Sequence, residues 1–267
     1  MTLCLAATCE WNNEPTIVCC CDMAGVRDDV RSGTFYKIRW IKKSIVMLAG
    51  DLSAANELFK ACEHAIAKYE SGGNDLAITE MLSFLREAVG SYRRNLNHEY
   101  LTTKYGLTFG EFLKEGKSYF SEIDHVQIWA ELKNLDLRAG LIVSTFSDDE
   151  AVHITISSDG RVAWVDNFAA LGTGARICNA FLLHRDYVDS MPIDQCLYRV
   201  LEAKLAAERD PYVGKETNLL VYTPTKFRRL TRKGMNDILA LIEERRAIPH
   251  FDFDQDILAD PRAGGFS

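Results

Sequence analysis

Short apolar runs that come in pairs, each pair split by a turn-rich spacer, constrain this chain more than any other feature. Residues 3–8 and 16–21 are two such runs, with Glu10-Trp11-Asn12-Asn13-Glu14-Pro15 between them. Runs of this length bounded by Asn and Pro read as two strands of a hairpin with a longer loop. Residues 35–41 and 44–48 form a second pair around Lys42-Lys43. Ala49-Gly50-Asp51 then stops the strand, and from about 52 to 70 the period changes to that of a helix. Leu58, Ala61, Cys62, Ala65 and Ile66 fall on one face of it. Ser71-Gly72-Gly73-Asn74 ends that helix, and a second is expected from about 75 to 92.

Residues 93–137 are polar and aromatic, with short helical pieces such as 108–113, and read as an insertion within the helical layer. Runs at 140–145, 152–157 and 161–165 follow as a meander, with Ser158-Asp159-Gly160 as a hairpin turn. A brief strand at 168–171 ends in Gly172-Thr173-Gly174, and helices are expected from there to about 184 and from 193 to 209. A strand at 218–222 and an amphipathic helix at 232–246 complete the folded part, and 247–267 is expected to be a loose tail. Strands cluster in hairpins and helices arrive in pairs. That order predicts an α+β fold in which two antiparallel sheets lie between helical layers, a four-layer αββα sandwich formed by one domain over residues 2–246. Strict βαβ alternation is missing, which disfavours a dinucleotide-binding fold, and Gly172-Thr173-Gly174 is too short for its fingerprint.

Composition narrows the classes further. Of 267 residues, 47% are hydrophobic and 26% charged, enough to bury a sizeable core. A formal charge of −7 argues against a nucleic-acid surface, which is normally basic. The run at 226–229, Lys-Phe-Arg-Arg, with Arg232 and Lys233 beyond it, is the best basic candidate; it is short, holds one aromatic ring and reads as a solvated face. No apolar stretch approaches the roughly 18 residues of a membrane span. The apolar start lacks a basic flank and runs directly into Glu10, so it reads as a strand rather than an export signal, and the chain is expected to be cytoplasmic. Its eight cysteines (Cys4, Cys9, Cys19, Cys20, Cys21, Cys62, Cys178 and Cys196) are then expected as reduced, buried thiols. Three adjacent cysteines on a strand alternate between faces and cannot converge on one ion. No Cys-x-x-Cys pair occurs and the histidines are scattered, so no metal or cofactor is expected.

The chemistry centres on Thr2. Threonine is small enough for an initiator methionine before it to be removed, which leaves a hydroxyl beside a free α-amine. A threonine hydroxyl needs a base within hydrogen-bonding reach, and an α-amine with a pKa of about 8 is such a base. Asp22 ends the second apolar run, and Lys37 sits among Phe35, Tyr36 and Ile38 in the third. Lys37 either points to solvent from an edge or is buried, and a buried ammonium requires a partner such as Asp22. Cys4 is a weaker nucleophile candidate, because it lies inside a strand with no paired histidine near it in sequence.

These landmarks together resemble proteasome β-subunits and their simpler bacterial relatives. The shared order is Met-Thr before an apolar strand, a strand ending in Asp22, a strand carrying Lys37-Ile38, and Met47-Leu48-Ala49-Gly50-Asp51 leading into a small-residue helix start. Phe168-Ala169-Ala170-Leu171-Gly172-Thr173-Gly174 is similar to the family's apolar segment with a Gly-Ser-Gly turn, with threonine in place of serine. Arg209-Asp210-Pro211-Tyr212-Val213-Gly214 falls where the family carries an aspartate followed by a glycine. The resemblance covers about residues 2–92 and 138–225. It implies an N-terminal-nucleophile hydrolase in which Thr2 is nucleophile and base, Asp22 and Lys37 are the supporting ion pair, the Gly50 amide stabilises the oxyanion, and Thr173 and Asp210 hold the α-amine. It further implies a threonine-type peptidase acting on peptide or unfolded-protein substrates inside a homo-oligomeric ring, with any ATPase partner unspecified. The alternatives are an amidase acting on a small amide and a catalytically silent subunit of a similar assembly.

Overall fold

A computed structural model describes residues 3–23, 25–27, 30–32, 37–71, 77–148 and 150–246. The fold is mixed α and β, with two five-stranded antiparallel sheets and seven helices among the described residues. The first sheet contains β1 (Leu3–Trp11), β2 (Glu14–Asp22), β10 (Phe168–Gly172), β11 (Thr217–Tyr222) and β12 (Phe227–Arg229), in the order β10-β1-β2-β11-β12. The second contains β5 (Ile38–Ile41), β6 (Ser44–Gly50), β7 (Ala139–Ser147), β8 (Glu150–Ile156) and β9 (Val162–Val165), in sequence order. Two three-residue strands, β3 (Gly25–Arg27) and β4 (Val30–Ser32), pair with each other. The helices are α1 (Leu52–Ser71), α2 (Ile78–Tyr105), α3 (Phe109–Tyr119), α4 (Glu122–Lys133), α5 (Ala175–His184), α6 (Ile193–Ala207) and α7 (Arg232–Arg246).

The period-two alternation of the strands decides which residues meet. Leu3, Leu5, Ala7 and Cys9 of β1 pack with Val18 and Cys20 of β2 against Cys178 and Leu182 of α5 and Val200 and Ala203 of α6. The intervening residues Cys4, Ala6, Cys19 and Cys21 face the other way, toward Ile45, Met47 and Ala49 of β6 and Ile142 of β7. The opposite face of that second sheet, with Val46, Leu48, Leu141, Val143 and Ile154, receives Leu58, Cys62 and Ile66 of α1 and Met81, Leu85 and Val89 of α2. Each Leu, Ile, Val or Met side chain fully buried in these clusters contributes on the order of 1.5–3 kcal/mol. The three consecutive cysteines alternate as a strand requires, Cys20 toward the helices and Cys19 and Cys21 between the sheets.

Several elements differ from the sequence expectation. The second helix continues to Tyr105, thirteen residues past the expected end at 92, until Gly106 caps it in the left-handed conformation at φ 69°. Beyond Tyr92 its buried positions thin to Asn97 and Leu101, so the periodic signal fades while the helix goes on. The piece expected at 108–113 is an eleven-residue helix opened by a full capping box between Thr108 and Glu111. Leu101, Phe112, Ile128 and Leu132 give α2, α3 and α4 a small core of their own. The basic run at 226–229, expected as a solvated face, is exposed, and its Phe227–Arg229 portion forms the edge strand β12. Lys37, read as a strand residue, immediately precedes β5, although its carbonyl still accepts from the Leu48 amide at 2.9 Å. Residues 35 and 36, and the tail at 247–267, lie outside the described residues. No described helix is long and apolar enough to cross a membrane.

Candidate active site

Asp22 ends β2 at the point where the strand runs out beside the start of β1. The register pairs Cys4 with Cys21, so the next residue along, Asp22, stands opposite Leu3. Its Oδ1 accepts from the Leu3 amide at 2.7 Å and from Lys37 Nζ at 2.6 Å, and its Oδ2 accepts from the Gly214 amide at 2.9 Å. Asp22 is fully buried and Lys37 is 4% exposed. Of the two readings the sequence left open for Lys37, burial against Asp22 is the one observed. A buried ion pair survives only when its remaining donors and acceptors are satisfied, and two main-chain amides give the carboxylate that support here.

Gly50 closes β6 with φ 98°, a backbone shape that favours glycine. A Cβ there would sit 2.4 Å from the Arg138 carbonyl oxygen and 2.8 Å from Ala139 Cα. Donors along an antiparallel strand alternate between its two neighbours. Asp51 N donates to Arg138 O on the β7 side at 2.8 Å, whereas Leu48 N donates to Lys37 O on the β5 side at 2.9 Å. By that alternation the Gly50 amide points with that of Leu48, to the side on which Lys37 lies.

Thr173, exposed at the end of β10, lines a cleft of about 580 Å³ together with Gly50, Arg138 and Ser158. Asp210 is half-buried, and its Oδ1 accepts from the Tyr212 amide at 2.9 Å, which shapes the turn leading to Gly214. Gly174 presses on that turn: a Cβ on it would lie 2.8 Å from Val213 and 3.4 Å from Leu3 Cδ1. Five of the six residues singled out in the sequence are therefore described, on segments that meet around the first residues of β1. Asp22 and Lys37 touch directly, Gly50 and Thr173 share a cleft, and Asp210 joins through its loop, by way of Gly214. The sixth, Thr2, lies outside the described residues.

Cys4 does not compete as a nucleophile. Burial, aided by Cys21, pushes its thiol well above the ordinary range, and its Sγ donates to the Leu48 carbonyl at 3.2 Å. The thiol of Cys21 is pushed up to about 12, again chiefly by burial. Among the described residues, no group of three or more His, Cys, Asp or Glu side chains could hold a metal ion. Sequence reading missed the amides of Leu3 and Gly214, because a main-chain donor leaves no mark on residue identity. It also passed over Arg138, whose backbone sits at φ 56° against Gly50 and whose side chain borders the cleft. No family model matches this chain, and no curated protein matches it either.

Proposed function

We propose that this chain is a threonine-type peptidase of the N-terminal-nucleophile class, with Thr2 as nucleophile in a mature chain that begins there. The observation that carries the reading is the double acceptance by Asp22 Oδ1: it binds Lys37 Nζ and the amide of Leu3, which is one peptide bond from Thr2. A buried ammonium is thus fixed beside the entrance to β1. The three apolar clusters support the same reading: one lies between the two sheets, and the other two lie between a sheet and helices.

In this mechanism the Thr2 hydroxyl attacks the scissile carbonyl and its proton passes to the Thr2 α-amine. The nearby Lys37 charge lowers the pKa of that amine and favours the developing alkoxide. The Gly50 amide donates to the oxyanion, a contribution of about 3–4 kcal/mol where such donors have been removed from other enzymes. The α-amine then returns the proton to the departing amine, and an acyl-enzyme remains on Thr2. Water, deprotonated by the same amine, releases the acid. Thr173 and the Asp210 loop orient the α-amine, and the cleft beside Gly50 receives part of the peptide. Copies of the chain assemble into a ring that encloses these sites.

The test is hydrolysis of a peptide library by the native protein and by Thr2→Ala, with small amides assayed in parallel. Peptide cleavage that disappears in Thr2→Ala supports the reading. Equal cleavage by both proteins overturns it, as does turnover confined to small amides.

A further inference from the structure

The hydrolytic reading leaves the edge of the first sheet unused. β12 ends that sheet, and all three of its residues are exposed. Phe227 is 62% exposed although its ring lies 4.9 Å from Trp40, itself 38% exposed. Trp40 in turn stands edge-on to Tyr222 at 5.2 Å. Lys43 and Lys226 are exposed around this ring pair, and the Arg228 guanidinium lies 5.5 Å from the Trp11 ring on the other face of the strand. Cations on an edge strand ordinarily guard it against pairing with other chains. Two exposed rings on the same edge work against such a guard. An aromatic pair ringed by cations suits a segment that carries both apolar side chains and carboxylates.

The chain contains such a segment. Residues 253–260 read Phe-Asp-Gln-Asp-Ile-Leu-Ala-Asp, with three carboxylates, three large apolar side chains and no cation. The segment also lies within reach of the edge. Helix α7 starts three residues after β12 and has 15 residues, so it carries the chain about 22 Å at ~1.5 Å per residue. The seven residues from Arg246 to Phe253 can span about 23 Å at ~3.3 Å each, enough to return. We propose that residues 253–260 dock on the Trp40–Phe227 surface of their own chain, with Phe253 against the rings and the aspartates against Lys43 and Lys226. This docking is independent of the hydrolytic reading.

The full-length chain tests it in two ways. Hydroxyl-radical footprinting compares the native protein with Asp254→Asn/Asp256→Asn/Asp260→Asn; oxidation of Trp40 and Phe227 is expected to rise severalfold in the variant while that of Trp164 stays constant. Zero-length coupling of carboxylates to amines, on mixed labelled and unlabelled protein, is expected to join Lys43 or Lys226 to Asp254 or Asp256 within one chain. At about 1 M salt, where the Debye length is about 3 Å, those links should disappear. Unchanged oxidation in the variant would overturn the proposal, and links only between labelled and unlabelled chains would assign the surface to a second copy instead. An RNA oligonucleotide that binds the native protein and shields Trp40 and Phe227 as well as it does in the variant would also overturn it.

Discussion

Removing Asp22 should be far more damaging than removing Lys37, and the inequality follows from who depends on whom. Asp22 accepts hydrogen bonds from buried or half-buried donors, among them the Leu3 amide, the Gly214 amide and Lys37 Nζ. Asp22→Ala removes the carboxylate from a buried ammonium, which costs about 3–5 kcal/mol. It also takes this acceptor from two main-chain amides, about 1–3 kcal/mol each. The sum, roughly 5–11 kcal/mol, is comparable with the entire stability of an ordinary domain, about 5–15 kcal/mol. Lys37→Met leaves the carboxylate with both amides and forfeits the charge-assisted Nζ–Oδ1 bond, about 1.5–3 kcal/mol. Asp22→Asn, which keeps one acceptor oxygen, should fall between the two. Equilibrium urea unfolding of Lys37→Met, Asp22→Asn and the double variant measures the coupling. The double variant should be less destabilised than the sum of the singles by about 2 kcal/mol or more, because it no longer buries an ammonium that has lost its carboxylate. Additive losses, or a Lys37 variant as unstable as the Asp22 one, would refute the reasoning.

Other consequences can be checked separately. His153 is fully buried between Thr8 Oγ1 at 3.0 Å and Ser144 Oγ at 2.9 Å, and burial lowers its pKa to about 4. The folded state therefore protonates later than the unfolded chain, whose histidine titrates near 6.5. The stability tied to this group is whole above about pH 6.5 and falls by roughly 3 kcal/mol as pH drops toward 4. Urea unfolding across that range should show the loss, and His153→Gln should flatten that part of the profile; a native profile already flat would count against it. Gly50→Ala should cost about 2 kcal/mol or more in thermal or urea unfolding, through its φ of 98° and the clash of the new Cβ with the Arg138 carbonyl; an unchanged midpoint would contradict the strand-end geometry. Thr108→Ala removes half of a capping box and should cost about 1 kcal/mol; no loss would show that α3 stands without it.

The central hairpin was legible because two continuous apolar runs flank a spacer of Asn and Pro, and both faces of those strands are buried, Leu3 and Leu5 on one side and Cys4 and Ala6 on the other. Helix α1 was legible for the same reason at a period of 3.6, with Leu58, Cys62 and Ile66 all buried. The later part of α2 was not, because it buries little beyond Leu101 once it leaves the sheet. β12 was invisible: three exposed residues carry no alternation, and only pairing with β11 makes them a strand. Of the candidate site, the charge pair was half readable: the neighbours of Lys37 left solvent and burial both open, and only burial demands a partner such as Asp22. The amides of Leu3 and Gly214 were not readable, since their contribution comes from main-chain position rather than residue type.

The account stands on Thr2, and the most direct measurement of it is the intact mass of the purified protein before and after treatment with a peptide epoxyketone, followed by mapping of the adduct. The account predicts a chain that begins at Thr2 and gains one probe molecule on that residue, with no adduct formed by Thr2→Ala. A chain in which a residue still precedes Thr2, or a probe bound elsewhere while Thr2 stays unmodified, would contradict it.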